Sequence, residues 1–191
     1  MSLAGSGPQT RPTVERRLYI AQGEHVVSDH PDTVITTILG SCVAVCLWDP
    51  ATGVGGMNHI LLPDFGGRGE AVPGTGVAGA GVYRFGAALM EVLINDVLKA
   101  GAGGSRLRAK LFGGAAMLGA ATEIGPCNVA FVRQFLRREG IAIEAASTGG
   151  TRARQIRFWP NGGQARQRLV VAAARPAAPA VLPKASDVEL F

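Results

Sequence analysis

Thr33-Val34-Ile35-Thr36-Thr37-Ile38-Leu39-Gly40-Ser41-Cys42-Val43-Ala44-Val45-Cys46-Leu47-Trp48 is the stretch on which the fold turns. Thr33 to Leu39 is rich in β-branched residues and reads as a strand interrupted by Gly40. Val43 to Trp48 is an apolar run of strand length ended by Asp49-Pro50, although length alone leaves a helical turn open there. Downstream, Val54 to Leu62 is the next strand and Pro63 closes it. Upstream, Leu18 to Ala21 and Glu24 to Val27 read as short strands around Gly23. The run of strands then gives way to a glycine-dense loop from Gly66 to Gly81.

Beyond that loop, Val82, Phe85, Leu89, Val92, Leu93, Asp96 and Val97 recur at three- and four-residue steps, and Gly101 stands where a helix cap belongs. Arg106 to Phe112 reads as a strand ending at Gly113-Gly114. Asn128 to Arg138 forms a second amphipathic helix, which Gly140 ends. Ile141 to Ala145 and Gln155 to Trp159 follow as strands, and Asn161-Gly162-Gly163 is a hairpin turn leading into Leu169 to Val171. This order predicts a layered α/β sandwich with a mixed or largely antiparallel sheet and two main helices, not a doubly wound sheet. Three segments follow: a flexible lead-in over 1–16, a folded domain over 17–171 and an Ala/Pro-rich tail over 172–191.

Of the 191 residues, 47% are hydrophobic and 17% charged, which suits a folded domain with a sizeable apolar core. The formal net charge is +5, but the arginines are dispersed and no dense basic run exists, so nucleic acid is not the expected partner. There is no apolar signal-peptide core and no run of about 18 apolar residues for a membrane span. With three cysteines, that pattern predicts a reducing, cytoplasmic setting and no disulfide framework.

Among those cysteines Cys42 stands apart. It follows a glycine turn at a strand end, a corner that exposes a side chain and leaves backbone N–H groups for an oxyanion. Cys46 lies inside an apolar run and Cys127 just before a helix, and both read as small buried hydrophobes. His59 is the natural partner of Cys42: strand pairing can bring it alongside, and an imidazole supplies a general base near neutral pH. A lone histidine with one structural hydrogen bond is the competing reading. His25 and His30 carry less weight. Cys42 and Cys46 lack a second pair to complete a metal site. Leu111-Phe112-Gly113-Gly114-Ala115 lacks the spacing of a phosphate loop and suits a sharp bend or close packing.

Thr36 to Pro63 resembles the chemotaxis receptor-glutamine deamidases of the CheD family. The resemblance rests on Thr36-Thr37-Ile38-Leu39-Gly40-Ser41-Cys42-Val43-Ala44-Val45-Cys46, on Gly56-Met57-Asn58-His59 and on Leu62-Pro63. Further matches are Lys110 to Ala115 with Met117, Ile124-Gly125 with Asn128-Val129, and Thr148-Gly149-Gly150 with Arg154, so that it spans roughly Leu18 to Val171. It implies a catalytic cysteine, histidine and threonine at Cys42, His59 and Thr36, with Ser41 and Asn58 as oxyanion or active-site support. Thr36 would orient His59 through a hydrogen bond.

The implied reaction is hydrolysis of protein glutamine through a cysteine thioester, with no metal or organic cofactor. The implied partners are chemoreceptors as substrate and a CheC-type phosphatase. A cysteine peptidase or transglutaminase would share the nucleophile and base. A non-catalytic adaptor that docks on signalling proteins is the rival from another class, and the joint presence of Thr36, Cys42 and His59 favours an enzyme over it.

Overall fold

The computed structural model describes residues 15–62, 80–117 and 124–170. The 172–191 tail, nearly all of the 1–16 lead-in and most of the glycine-dense stretch lie outside them.

The central strand is β4 (Val43–Trp48), buried along its whole length. Its side chains alternate between two separate cores, which explains why the run is apolar without interruption. Val43, Val45 and Leu47 face one core, shared with Met90, Leu93 and Val97 of α1 (Ala80–Lys99) and with Phe131, Val132, Phe135 and Leu136 of α2 (Ile124–Arg138). Ala44, Cys46 and Trp48 face a second core built with Ile35 and Leu39 of β3 (Thr33–Leu39) and Ile156 and Phe158 of β8 (Arg154–Trp159). The Trp48 and Phe158 rings meet edge to face at 6.4 Å.

Two sheets result. One runs β2-β5-β4-β6-β7, with β2 (His25–Ser28), β5 (Gly55–Ile60), β6 (Arg108–Gly113) and β7 (Ala142–Thr148). The other runs β1-β3-β8-β9, with β1 (Arg16–Tyr19) and β9 (Gln164–Leu169). Both are mixed: β1–β3 and β6–β7 are parallel and the remaining pairs antiparallel. The layers are therefore sheet, sheet and helices. The two short strands around Gly23 go to different sheets, β1 beside β3 and β2 beside β5. Gly23, at φ +83°, carries the chain across the gap.

Most strand boundaries shift by a few residues from the sequence reading, and three differences have a local cause or consequence. Helix α2 starts at Ile124, because Pro126 sits in its first turn, where no intrahelical N–H is needed. Helix α1 takes in Ala80 and Gly81, placed above in the loop. Strand β9 begins at Gln164, immediately after the turn. Asp96, the one polar member of the α1 stripe, meets His25 Nε2 at 2.9 Å.

Candidate functional site

The site is assembled where the two sheets face one another. His59 stands directly opposite Ala44 in the β4–β5 ladder, so its imidazole shares the inter-sheet face with Ala44, Cys46 and Met57. Cys42, at the β3–β4 corner, packs against the same core. It lies two residues before Ala44 and is thus a diagonal neighbour of His59, at roughly 7 Å if ladder spacing runs one residue past Val43. Cys42 and Cys46 thus lie on the same core, on the side of the sheet that carries His59.

The corner is fixed from two sides. Gly114 N–H donates to the Cys42 carbonyl at 2.7 Å and Ala115 N–H to the Gly40 carbonyl at 2.8 Å. Gly113, at φ +111°, lies so close that any side chain there would run into the Cys42 carbonyl. The Gly113-Gly114 pair is thus a sharp bend under the Cys42 backbone. From the other side, Asn128 of α2 is wholly buried; its Nδ2 donates to the Ser41 carbonyl and its Oδ1 accepts from Leu62 N–H, both at 2.9 Å. One amide ties the residue before Cys42 to the segment just past His59.

The threonine that meets His59 is Thr37. Its Oγ1 lies 2.9 Å from His59 Nδ1 and also donates to the Ile20 carbonyl at 2.8 Å. A hydroxyl has one proton, and a carbonyl can only accept, so toward Nδ1 the threonine oxygen accepts. Nδ1 therefore carries the proton and Nε2 presents its lone pair. Nε2 is buried and has no hydrogen-bond partner among the described residues, Cys42 Sγ included. Burial holds the His59 pKa below its ordinary value, partly offset by the Ile20 carbonyl, and burial pushes the Cys42 thiol up. Both directions favour a neutral imidazole beside a neutral thiol.

Two expectations are corrected by side-chain parity. Thr36 is one residue from Thr37 and faces the outer side of its sheet, across from Arg157 on β8, so it cannot orient His59 in this arrangement. Asn58 is one residue from His59 and points toward the helices: its Oδ1 accepts from Val45 N–H at 3.1 Å and its Nδ2 reaches the Leu89 carbonyl at 3.4 Å. It anchors α1 to the sheet and lies away from the inter-sheet face that carries His59. Ser41 contributes its carbonyl to the Asn128 clamp.

Access comes from an edge. β1 leaves β3 after the Tyr19–Thr36 pair, and a cavity of about 290 Å³ opens there, with Tyr19, Ile20, Thr36, Thr37, Ile38 and His59 among its lining. Cys46 is fully buried and its thiol is pushed far above its ordinary range, first by burial. No group of three metal-ligating side chains exists among the described residues, and among them no helix is long and apolar enough to cross a membrane.

The family model described as CheD chemotactic sensory transduction matches residues 73–169. A protein of Caulobacter sp. strain K31, named a probable chemoreceptor glutamine deamidase CheD, is 48% identical, the match covering 92% of this chain and 93% of that protein. The chain belongs to the CheD family. Relatives of the same name in Agrobacterium fabrum and Acidiphilium cryptum are 47% and 52% identical, covering 92% and 84% of this chain and 97% and 82% of theirs. The CheD family match thus extends over more of the chain than the family model alone, and a 92% span includes both Cys42 and His59. Likeness to solved structures is slight: the hypothetical protein YfiH of Bacillus licheniformis has a TM-score of 0.40 at 15% identity, over 64% of this chain and 49% of that one.

Asn128 was not singled out as a functional residue in the sequence, and its effect is measurable. Asn128→Ala strips hydrogen-bond partners from two backbone groups and leaves a small cavity. The expected loss is roughly 2–5 kcal/mol, a fall in Tm on the order of 10 °C. Differential scanning calorimetry reads this directly, and an unshifted melt would show that the Ser41 and Leu62 groups find other partners.

Proposed function

We propose that this CheD-family protein deamidates glutamine side chains of chemoreceptors, with Cys42 as nucleophile and His59 as general base and acid. The observation that carries the reading is the imidazole: Thr37 holds its tautomer so that an unpartnered Nε2 lone pair shares the inter-sheet face with the Cys42 thiol. The relatives' printed names supply the substrate class.

The chemistry follows from a neutral pair. As Cys42 Sγ bonds to the carboxamide carbon, its proton passes to His59 Nε2 and the amide oxygen becomes an oxyanion. Gly114 and Ala115 N–H groups are already engaged with the Cys42 and Gly40 carbonyls, so the corner's own N–H groups at Ser41 and Cys42 are the candidates to hold that charge. Collapse breaks the C–N bond and the imidazolium proton leaves with ammonia. Water, deprotonated by Nε2, then cleaves the thioester, and the glutamate leaves while the thiol regains its proton. Thr37 accepts from Nδ1–H throughout and stabilises the imidazolium when it forms.

The test is ammonia release from a purified chemoreceptor cytoplasmic fragment, with mass spectrometry locating each glutamine-to-glutamate conversion. Backbone cleavage or cross-linked products would place the protein among peptidases or transglutaminases instead. Binding to the receptor with no ammonia would make it an adaptor. Co-purification with a CheC-type phosphatase tests the family's other expected partner, and fractionation of cells tests the cytoplasmic setting.

A pH prediction follows from the direction of the shifts. His59 must be neutral to act as base, and burial lowers its pKa, so activity is retained through neutrality and is lost only as pH falls below the ordinary histidine value of about 6.5. The acid limb of kcat/KM should have its midpoint below that value. A midpoint at or above it would mean that an opposite charge stabilises the imidazolium in the free enzyme.

A further inference from the structure

The outer face of the four-stranded sheet carries a charge arrangement that the fold does not require. Arg157 and Arg166 stand directly opposite each other in the β8–β9 ladder. Like charges at that position destabilise a strand pair. Both guanidinium groups lie over the Trp159 ring, at 5.0 and 5.5 Å from its centre, which eases the repulsion without neutralising it. Arg168, two register positions along on the same face and opposite Gln155, and Arg17 of β1 complete the group around one depression of about 350 Å³. Among the described residues the carboxylate bonded to this group is Glu15, which pairs with Arg157 at 2.5 Å and with Arg17 at 3.0 Å. One acid therefore serves two of the four arginines.

This depression adjoins the His59 cavity: Tyr19, Thr36 and Gln155 line both. One cross-strand row runs Tyr19, Thr36, Arg157, Arg166 from the cavity mouth outward. At about 4.8 Å per strand it spans roughly 14 Å. Beside the mouth stand two large apolar side chains in solvent, Tyr19 at 69% and Ile38 at 58% exposure. An apolar lip around the cavity and a cationic track leading away from it fit a chain whose reacting side chain enters the cavity while neighbouring carboxylates lie along the arginines.

We infer that this face is the docking surface for the substrate, and that it selects glutamines set in an acidic stretch of polypeptide. The inference rests on the deamidase reading and names the sequence context which that activity prefers. Glu15 occupies part of the track and is displaced or bridged when substrate carboxylates arrive. The contribution falls mainly on binding, because the row of arginines begins about one strand spacing from Thr36 at the cavity wall and runs away from it. It is also salt-dependent, since exposed charges are screened beyond about 8–10 Å at ordinary ionic strength.

Two synthetic peptides with the same central glutamine, one flanked by glutamates and one by lysines, test this with the full chain. Binding to the Cys42→Ala protein is read by fluorescence anisotropy, and turnover of the unsubstituted protein by ammonia release. The expected result is about tenfold or more tighter binding of the glutamate peptide, and the same ratio in kcat/KM carried by KM. Raising salt, or the double substitution Arg157→Gln with Arg166→Gln, should remove most of the preference. Arg157→Glu with Arg166→Glu should reverse it, with thermal melts showing that both variants fold. Equal binding of the two peptides, no binding of either, or a preference untouched by both double substitutions would overturn the surface. So would tighter binding of a single-stranded oligonucleotide than of the glutamate peptide. Charge-selective binding with no ammonia from either peptide or from a receptor fragment would sink the deamidase reading and leave the acidic-segment surface standing.

Discussion

Cys42→Ala is expected to abolish ammonia release, by at least ~10⁴-fold in kcat, while the protein keeps its fold. The side chain is only half-buried, and the corner that carries it is held by backbone bonds from Gly114 and Ala115 and by Asn128, none of which uses the sulfur. Cys46→Ala is the matched control. That residue lies on the same face of the chain two pleats on, but it is wholly enclosed and its thiol is held far from ionisation by burial. It should keep its activity and lose a modest amount of stability. Iodoacetamide gives an independent readout. Cys42 should be alkylated in the native protein and activity should fall in step, whereas Cys46 should react only on unfolding. Because burial raises the Cys42 thiol, native labelling should be slower than that of a small free thiol at the same pH and should accelerate as pH rises. A rapid, pH-independent reaction near neutrality would indicate a preformed thiolate–imidazolium pair, the arrangement that a low-pKa cysteine would show. Full activity in Cys42→Ala would remove the thioester mechanism altogether.

The elements that were legible in the sequence are those with a strong local signal. β3 and β4 announce themselves through β-branched and apolar runs, and α1 through its three- and four-residue stripe. Even the odd member of that stripe has an account, since Asp96 meets His25 across the β2 edge. The division into two sheets was not legible, because it depends on the parallel β1–β3 and β6–β7 pairings, which no turn or local pattern encodes. β9 was placed too late because Gln164-Ala165-Arg166-Gln167-Arg168 has almost no apolar content; it is an edge strand whose outer face is charged. The start of α2 was hidden by Gly125 and Pro126, which read as breakers yet sit where a first turn tolerates them.

The candidate site shows the same division at finer scale. Cys42 and His59 stand out in the sequence because their chemistry is distinctive and a turn and a strand place them. Their supports do not, because support depends on which face a side chain takes. In a strand a one-residue step moves a side chain to the other face. Thr36 stands one step from Thr37, which meets His59 here, and Asn58 one step from His59 itself, so both expected supports take the opposite face. Asn128 bridges positions 41 and 62 from a helix more than sixty residues away, and only the packing of α2 against β4 brings it there.

Thr37→Val is therefore expected to be the damaging substitution of the two threonines, and Thr36→Val the mild one. Valine keeps the volume and β-branching of threonine, so β3 should form in both variants. At position 37 the exchange removes the donor to the Ile20 carbonyl and the acceptor for His59 Nδ1–H together. Two buried polar groups are left without partners, which lowers stability by about 1–3 kcal/mol for each that finds no substitute. The larger effect is on the imidazole. With the Ile20 carbonyl as the one acceptor left near Nδ1, the tautomer is held less firmly, and where the proton moves to Nε2 that nitrogen is no longer a base. General-base assistance is worth roughly 10²–10⁴-fold, so kcat should fall about 10²-fold, with KM little changed. Thr37→Ser restores an oxygen at the same position and should recover most of the activity, which a purely structural role for the residue would not require. At position 36 the side chain looks outward over the sheet toward Arg157, and its hydroxyl has no part in holding His59. Thr36→Val should keep kcat within roughly twofold of the unsubstituted protein, since it leaves the base and its tautomer alone. Ammonia release at saturating substrate, beside melts of all three variants, decides the matter. If Thr36→Val instead collapses kcat while Thr37→Val does not, the orienting hydroxyl is Thr36, and β3 must shift its register by one residue when substrate binds.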